Sequence, residues 1–197
     1  VNPIDFAFDA QGRVWVAETP EYPQVRDEDD PQDRISILED TDGDGRVDEK
    51  KVFYDGLSLA TSLALYKDGV IVAQAPHIYW LRDTDGDGKA DKKQTVLTGF
   101  GTRDTHAVVN HLRWSMDGWI YATLGYSRAN IRNAEGEKFG EFTEGVFRFR
   151  PDGTEVQKVS SRGGNTWGVG FTWNGDLLWS QATSGRHLFH TVLPEWV

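Results

Sequence analysis

Residues 117–123 read DGWIYAT, a D-G turn followed by an apolar run that ends in small residues, and the phrase recurs at three other places. It stands as DAQGRVWVA at 9–17, DGVIVA at 68–73 and NGDLLWS at 174–180; the marker glycines Gly12, Gly69, Gly118 and Gly175 are 57, 49 and 57 residues apart. A D-G or N-G pair flanked by apolar residues marks a tight hairpin, because those residues tolerate the turn's backbone angles. An apolar stretch precedes each turn, at 6–8, 63–65, 112–114 and 169–173, so each copy predicts two antiparallel strands, A and B.

A second hairpin, C and D, follows the first three copies. RISILED (34–40) leads to KKVFYDG (50–56), HIYWLRD (77–83) leads to KKQTVLTG (92–99), and VFRFR (146–150) turns at PDGT into VQKVS (156–160). Four antiparallel strands in roughly 50 residues is the scale of a propeller blade, and the amphipathic runs of a helical repeat are missing. The expected fold is all-β, a β-propeller of four-stranded blades at 5–55, 62–98, 111–160 and 168–197, the last without a strand D. Residues 1–197 are then one propeller domain or a propeller fragment. Either four blades close the ring, with N-terminal residues supplying the last strand, or the chain belongs to a larger ring. The second reading is preferred, since propellers of about four to eight blades all occur.

Composition agrees. The chain has 197 residues, with 8 Trp, 10 Phe and 6 Tyr beside 21 Gly, as aromatic strands broken by glycine turns require. Asp and Glu number 31 against 21 Lys and Arg, a formal charge of −10, which argues against a nucleic-acid partner. No apolar run approaches the roughly 18 residues of a membrane span, and no targeting peptide is expected in a chain that begins in strand-like sequence. Without cysteine there is no disulfide, zinc-thiolate site or covalent haem attachment within these residues. GxSxG, HExxH and phosphate-loop motifs are also missing.

The strongest chemical signal is a loop present twice. DTDGDGRVD at 40–48 returns as DTDGDGKAD at 83–91, with Asp at positions 1, 3, 5 and 9 and Gly at 6. Carboxylates at 1, 3 and 5, a carbonyl at 7 and a sharp glycine turn at 6 begin an EF-hand loop. The bidentate Glu at 12 is replaced by Lys51 and Gln94, and the flanks read as strands. The pattern resembles instead the DxDxDGxxD calcium hairpins of integrin-type propellers. The candidate ligands are Asp40, Asp42, Asp44, Asp48 and the Arg46 carbonyl, then Asp83, Asp85, Asp87, Asp91 and the Lys89 carbonyl. Four carboxylates within nine residues repel one another unless a hard cation sits among them, and an all-oxygen set suits calcium. The bland alternative is a solvated Asp/Gly turn, which two copies at matching blade positions disfavour. Both loops join C to D, the side of the A–B turns, so two structural calcium ions are expected, away from any reacting centre.

The B–C and D–A connections gather on the other side and are longer. The richest is GFGTRDTHAVVNH (99–111), which holds Arg103, Asp104, His106, Asn110 and His111. His106 is the candidate base, because imidazole titrates near neutrality; the alternative is a loop-capping histidine. Trp15, Trp80, Trp114, Trp119, Trp173 and Trp179 alternate within strands and are expected in the core. Trp167, in the loop before a strand A, is the candidate pocket liner.

RVWVAETPEYP, the DTDGDG hairpins, DTHAVVNHLRWSMDGWIYATLG, VFRFRPDGTE and NTWGVGF together resemble the propeller domain of the membrane-bound dehydrogenase-type proteins abundant in planctomycetes. These are similar in turn to soluble pyrroloquinoline-quinone sugar and sorbosone dehydrogenases. The resemblance implies a six-bladed ring, so that further blades, or a neighbouring haem or helical-repeat domain, would be partners. It also implies a histidine base taking a proton from a sugar hydroxyl while hydride passes to pyrroloquinoline quinone, with His106 nearest that place. The quinone-side motif falls on GGNTWG, where Asn165 and Gly168 match, Gly164 stands in an arginine's place and Arg162 is two residues away. Arg103, Asp104, Arg162, Asn165 and Trp167 are therefore the candidate cofactor and pocket residues. An extracytoplasmic setting follows from the likeness and from ambient calcium. The competing reading is a non-catalytic, calcium-binding propeller module that binds a glycan or a protein.

Overall fold

Each D-G or N-G phrase is a short apolar run bounded by a turn, and in the computed structural model every one of them, with the stretch before it, is an antiparallel strand pair. The structure describes residues 2–24, 29–160, 164–183 and 188–192. The first sheet orders β1 (Pro3–Phe8), β2 (Val14–Glu18), β3 (Asp33–Glu39) and β4 (Glu49–Leu57) as an antiparallel meander. Next come β5 (Ser62–Tyr66), β6 (Gly69–Gln74), β7 (His77–Arg82) and β8 (Lys92–Phe100), then a single 3-10 turn at Thr105–Ala107. The chain continues through β9 (Val109–Trp114), β10 (Ile120–Leu124), β11 (Ala129–Asn133), β12 (Lys138–Phe142), β13 (Gly145–Phe149) and β14 (Val156–Ser160). It ends, among the described residues, with β15 (Thr166–Phe171), β16 (Leu177–Gln181) and β17 (Phe189–Thr191). Sheet orders are β12-β11-β8-β7-β6-β5, β14-β13-β10-β9 and β15-β16-β17. The fold is all-β and of β-propeller type, with A–B–C–D meanders where the repeat predicts them and a three-stranded last sheet.

One segment departs from expectation. Residues 124–145, expected as an irregular B–C connection, contain the hairpin β11–β12, which extends the β5–β8 sheet by pairing β11 with β8. Ala129, Ile131 and Asn133 turn inward while Asn130 and Arg132 turn outward, the alternation of a half-buried strand. Gly99 of β8 permits the approach: a Cβ there would meet the Asn130 carbonyl oxygen at 2.0 Å. The expected tryptophan core also needs correction. Trp15, Trp80, Trp119 and Trp179 are buried, but Trp114 is 39% exposed and Trp173 92% exposed. Both stand beside A–B turns, where the strand face runs out into solvent.

Packing divides the chain into two units, Val1–Gln74 with Tyr79–Gln94, and Ala75–Ile78 with Thr95–Val197. In the first, Trp15, Ile35, Ile37, Phe53, Leu57 and Leu63 form the heart of an apolar core, each large side chain contributing roughly 1.5–3 kcal/mol on burial. Buried carboxylates tie its connections together. Asp33 Oδ2 accepts from Thr19 Oγ1 at 2.6 Å and from the Ala60 amide at 2.9 Å, and its Oδ1 from the Glu21 amide at 3.3 Å. In the second unit Trp119, Tyr121, Val146, Val169, Leu177 and Trp179 form a core. Beside it Arg148 donates to Gln157, Asp117 and the Tyr121 hydroxyl and lies over the Trp119 ring. Burial pushes the Tyr121 phenol up to about 12.

The four A–B turns are not equivalent. Gly12, Gly118 and Gly175 sit at φ 84°, 76° and 89°, where a glycine costs least. Between β5 and β6 the left-handed residue is Lys67 at φ 49°, its Nζ 4.9 Å from the Tyr66 ring centroid and 5.6 Å from that of Trp80. Gly69 there serves another purpose, since a Cβ would lie 1.9 Å from the Leu81 carbonyl oxygen.

Candidate functional site

Strands flank both aspartate loops, β3 and β4 the first, β7 and β8 the second, as hairpin loops rather than EF-hands require. The two loops repeat one hydrogen-bond pattern. Asp40 accepts from the amides of Gly43 and Gly45, and Asp83 from those of Gly86 and Gly88. Asp42 and Asp85 each accept from the amide two residues on, and Asp44 and Asp87 from the amides of Arg46 and Lys89. Asp48 and Asp91 close the loops onto Thr41 and Thr84, and those bonds hold both carboxyls below the usual range. Carboxylate oxygens of Asp40, Asp42 and Asp48 lie within 4.8 Å of one another, as do those of Asp83, Asp85 and Asp87. Ligands about 2.3–2.6 Å from one calcium ion are at most about 5 Å apart, so both clusters fit that ion.

The first unit also carries a cleft of about 700 Å³ on the turn side, with Trp15, Ile37, Phe53 and Tyr66 among its walls. Asp83, Gly86 and Gly88 of the second aspartate loop border it. The sequence points to room for a ligand at the longer connections, and this cleft lies instead beside the short D-G turns, with Trp15 and Phe53, packed edge to face, among its walls.

In the second unit the connection from β8 to β9 is built around Asp104. Its Oδ1 accepts from the His106 amide at 3.0 Å and faces His106 Nδ1 at 3.1 Å, capping the 3-10 turn, and its Oδ2 accepts from the Tyr126 hydroxyl at 2.6 Å. The Tyr126 bond, then the His106 amide, hold the Asp104 carboxyl below its ordinary value, while Asp104 pushes the Tyr126 phenol up. The tautomer that donates Nδ1–H to Asp104 carries its basic lone pair on Nε2, the arrangement of a carboxylate-oriented imidazole base.

Other candidates converge here. Trp167 Nε1 donates to the His106 carbonyl at 2.5 Å. Asn165 is 5% exposed and its Oδ1 is buried with no hydrogen-bond partner. Gly125 is what lets these segments meet, because a Cβ there would lie 2.4 Å from Asn165 Oδ1 and 2.6 Å from Ala107 Cα. Arg103 and Asp104 line a cleft of about 520 Å³ together with Tyr126, Ser127 and Arg128, three residues the sequence reading did not single out. Tyr126 directly follows the DGWIYATLG strand, where a tyrosine just past a strand end was the available signal. Arg162 lies outside the described residues.

Residues 1–196 match the model of a family described as "Domain of unknown function (DUF7133)". The comparison with curated proteins finds no match. Among solved structures the chain is similar to the pyrroloquinoline-quinone-bound aldose sugar dehydrogenase of Streptomyces coelicolor, at 16% identity and TM-score 0.65, covering 97% of this chain and 60% of that one. It is similar to the calcium-binding protein regucalcin of Agrobacterium tumefaciens at 13% identity and TM-score 0.61, covering 96% and 60%. It is also similar to a chain of the nidogen/laminin complex at 16% identity and TM-score 0.60, covering 91% and 57%. These likenesses are of fold. The chain spans less than two thirds of the length of each of the three.

Proposed function

Because the chain belongs to the DUF7133 family, a name that assigns no chemistry, we propose its function from its own geometry: a calcium-stabilised propeller module that oxidises a hydroxyl of a sugar or related alcohol. The observation that carries the reading is Asp104, held between His106 and Tyr126 at a cleft lined by Arg103 and Arg128. His106 takes the hydroxyl proton on Nε2, and Asp104 keeps the imidazole in the tautomer that can do so and stabilises it once protonated. Tyr126 occupies the other oxygen of Asp104, which keeps Oδ1 directed at Nδ1. The buried, unpartnered Oδ1 of Asn165 and the Trp167 indole fit a planar cofactor with an N–H donor, and these two residues would hold pyrroloquinoline quinone. When bound, the quinone supplies the hydride acceptor.

The aspartate loops belong to the same proposal as two structural calcium sites, with Asp40, Asp42, Asp48, Asp83, Asp85 and Asp87 as the core of the ligand sets. Membership of a six-bladed ring, completed by further blades or a neighbouring domain, and an extracytoplasmic setting rich in calcium complete it. A second reading, a non-catalytic glycan-binding module, draws on the aromatic cleft beside the Asp83 loop. The test is dye reduction by the purified protein with pyrroloquinoline quinone, calcium and a panel of aldoses, repeated with His106→Ala. Loss of turnover in the variant supports the assignment. Turnover unchanged by it dismisses His106 as base, and a parent protein inert with every sugar favours the binding module.

A further inference from the structure

We propose that the groove beside His106 selects a sugar bearing a carboxylate, held by the guanidiniums of Arg103 and Arg128. Two clefts, of about 520 and 310 Å³, share Ser127 and Arg128 as walls, so Arg128 stands where they meet. Neither guanidinium has an ion-pair or hydrogen-bond partner among the described residues. Elsewhere Arg13, Arg34, Arg82 and Arg148 each pair with a carboxylate. In a chain with a net charge of −10, acidic partners are plentiful, and two unpaired arginines in one cleft are a cationic spot kept open.

Backbone geometry fixes one of them in place. Arg128 lies at φ 62°, a left-handed conformation that is unfavourable for a side-chain-bearing residue and persists only where surroundings enforce it. Gly101 enforces it: its amide donates to the Arg128 carbonyl at 2.7 Å, and a Cβ on Gly101 would lie 1.9 Å from the Ser127 carbonyl oxygen. Asp104, the carboxylate in the same cleft, has both oxygens engaged by His106 and Tyr126. Two guanidinium forks match the planar carboxylate, and such charge-assisted pairs are among the stronger hydrogen bonds. A dianionic phosphate would meet Asp104 and, in the adjoining cleft, Glu141, so a single negative charge is the better match. Asn130 and Thr143 of that adjoining cleft offer neutral partners for hydroxyls.

The substrate class rests on the sugar reading above, but binding is measured without turnover. Calorimetric titration of the purified protein with D-glucuronate, its methyl ester, D-glucose and glucose 6-phosphate provides the test, at low and high salt and with or without pyrroloquinoline quinone. The acid should bind roughly tenfold or more tighter than the ester or glucose. Salt should narrow that margin, Arg128→Gln should abolish it, and Arg103→Gln should reduce it while the melting temperature holds. Equal affinity for acid and ester, a preference that survives Arg128→Gln, or tighter binding of the phosphate would overturn the proposal. So would competitive displacement of glucuronate by the quinone, which would assign the arginines to the cofactor. Arginine-dependent glucuronate binding without dye reduction would sink the redox chemistry and leave this proposal standing.

Discussion

Replacing Asp33 is the sharpest test of how the first unit holds its connections. The side chain is fully buried and receives Thr19 Oγ1, the Glu21 amide and the Ala60 amide; the Leu59 amide, in a residue at φ 53°, also faces it. Thr19, Glu21 and Ala60 are at most 2% exposed, so water does not replace the lost acceptor. Each buried donor left unpaired costs about 1–3 kcal/mol, partly offset because a desolvated charge is removed with the carboxylate. Asp33→Ala is therefore expected to destabilise by about 3–5 kcal/mol. Asp33→Asn keeps an acceptor for Thr19 and Ala60 but turns an NH2 toward the Glu21 amide, so it should lose only about 1–2 kcal/mol. The assay is urea unfolding followed by tryptophan fluorescence, and at roughly 2–4 °C per kcal/mol the alanine variant should also melt at least about 6 °C lower. An alanine variant within about 1 kcal/mol of the parent, or an asparagine variant equally damaged, would refute the argument.

Titration gives a second expectation. Burial raises the folded-state pKa of Asp33 above its ordinary value, so its contribution is greatest in acid and falls as pH rises through that raised window. Comparing pH profiles of the parent and Asp33→Asn should show that slope vanish. Asp48 and Asp91 have the opposite sign: their lowered pKa values add stability above the ordinary carboxylate range, lost as pH falls, which Asp48→Asn and Asp91→Asn should flatten. Chelation should lower the melting temperature and calcium restore it, each site adding about 2.7 kcal/mol at a hundredfold excess over its Kd. The double variant Asp40→Asn, Asp83→Asn should be indifferent to the ion, and a parent protein equally indifferent would argue against occupied loops. Tyr126→Phe removes the main cause of the lowered Asp104 pKa, so the acidic limb of the pH–rate profile should move to higher pH with folding unchanged; an unmoved limb would detach Asp104 from catalysis.

Strands were legible because each D-G or N-G turn is followed by a short apolar run, and those runs form β2, β6, β10 and β16, of which β10 is buried at every position and β2 and β6 at all but one. The aspartate loops were legible because their spacing alone encodes the reciprocal bonds from side chain to amide. The hairpin β11–β12 was hidden for a physical reason. Its partner strand β8 belongs to a distant part of the chain, and the pairing depends on the bare backbone of Gly99, which local periodicity does not report. Arg128 was hidden likewise, since its fixed position comes from contact with Gly101. His106 and Asp104 were found through residue type and loop length, whereas Tyr126 reaches them from 22 residues away.

The turn between β5 and β6 bears on anyone building chimeras from these blades. On paper the four D-G phrases look like interchangeable cassettes, yet this one is pressed against Leu81 at Gly69 and leans a lysine over two rings. Grafting DGWIYAT in place of DGVIVA would import a turn whose left-handed residue is the glycine itself, two positions on from where Lys67 bends this hairpin. A consensus cassette averaged over all four copies would thus misfit one slot in four, and the misfit would fall on the very hairpin that leads into the Asp83 loop.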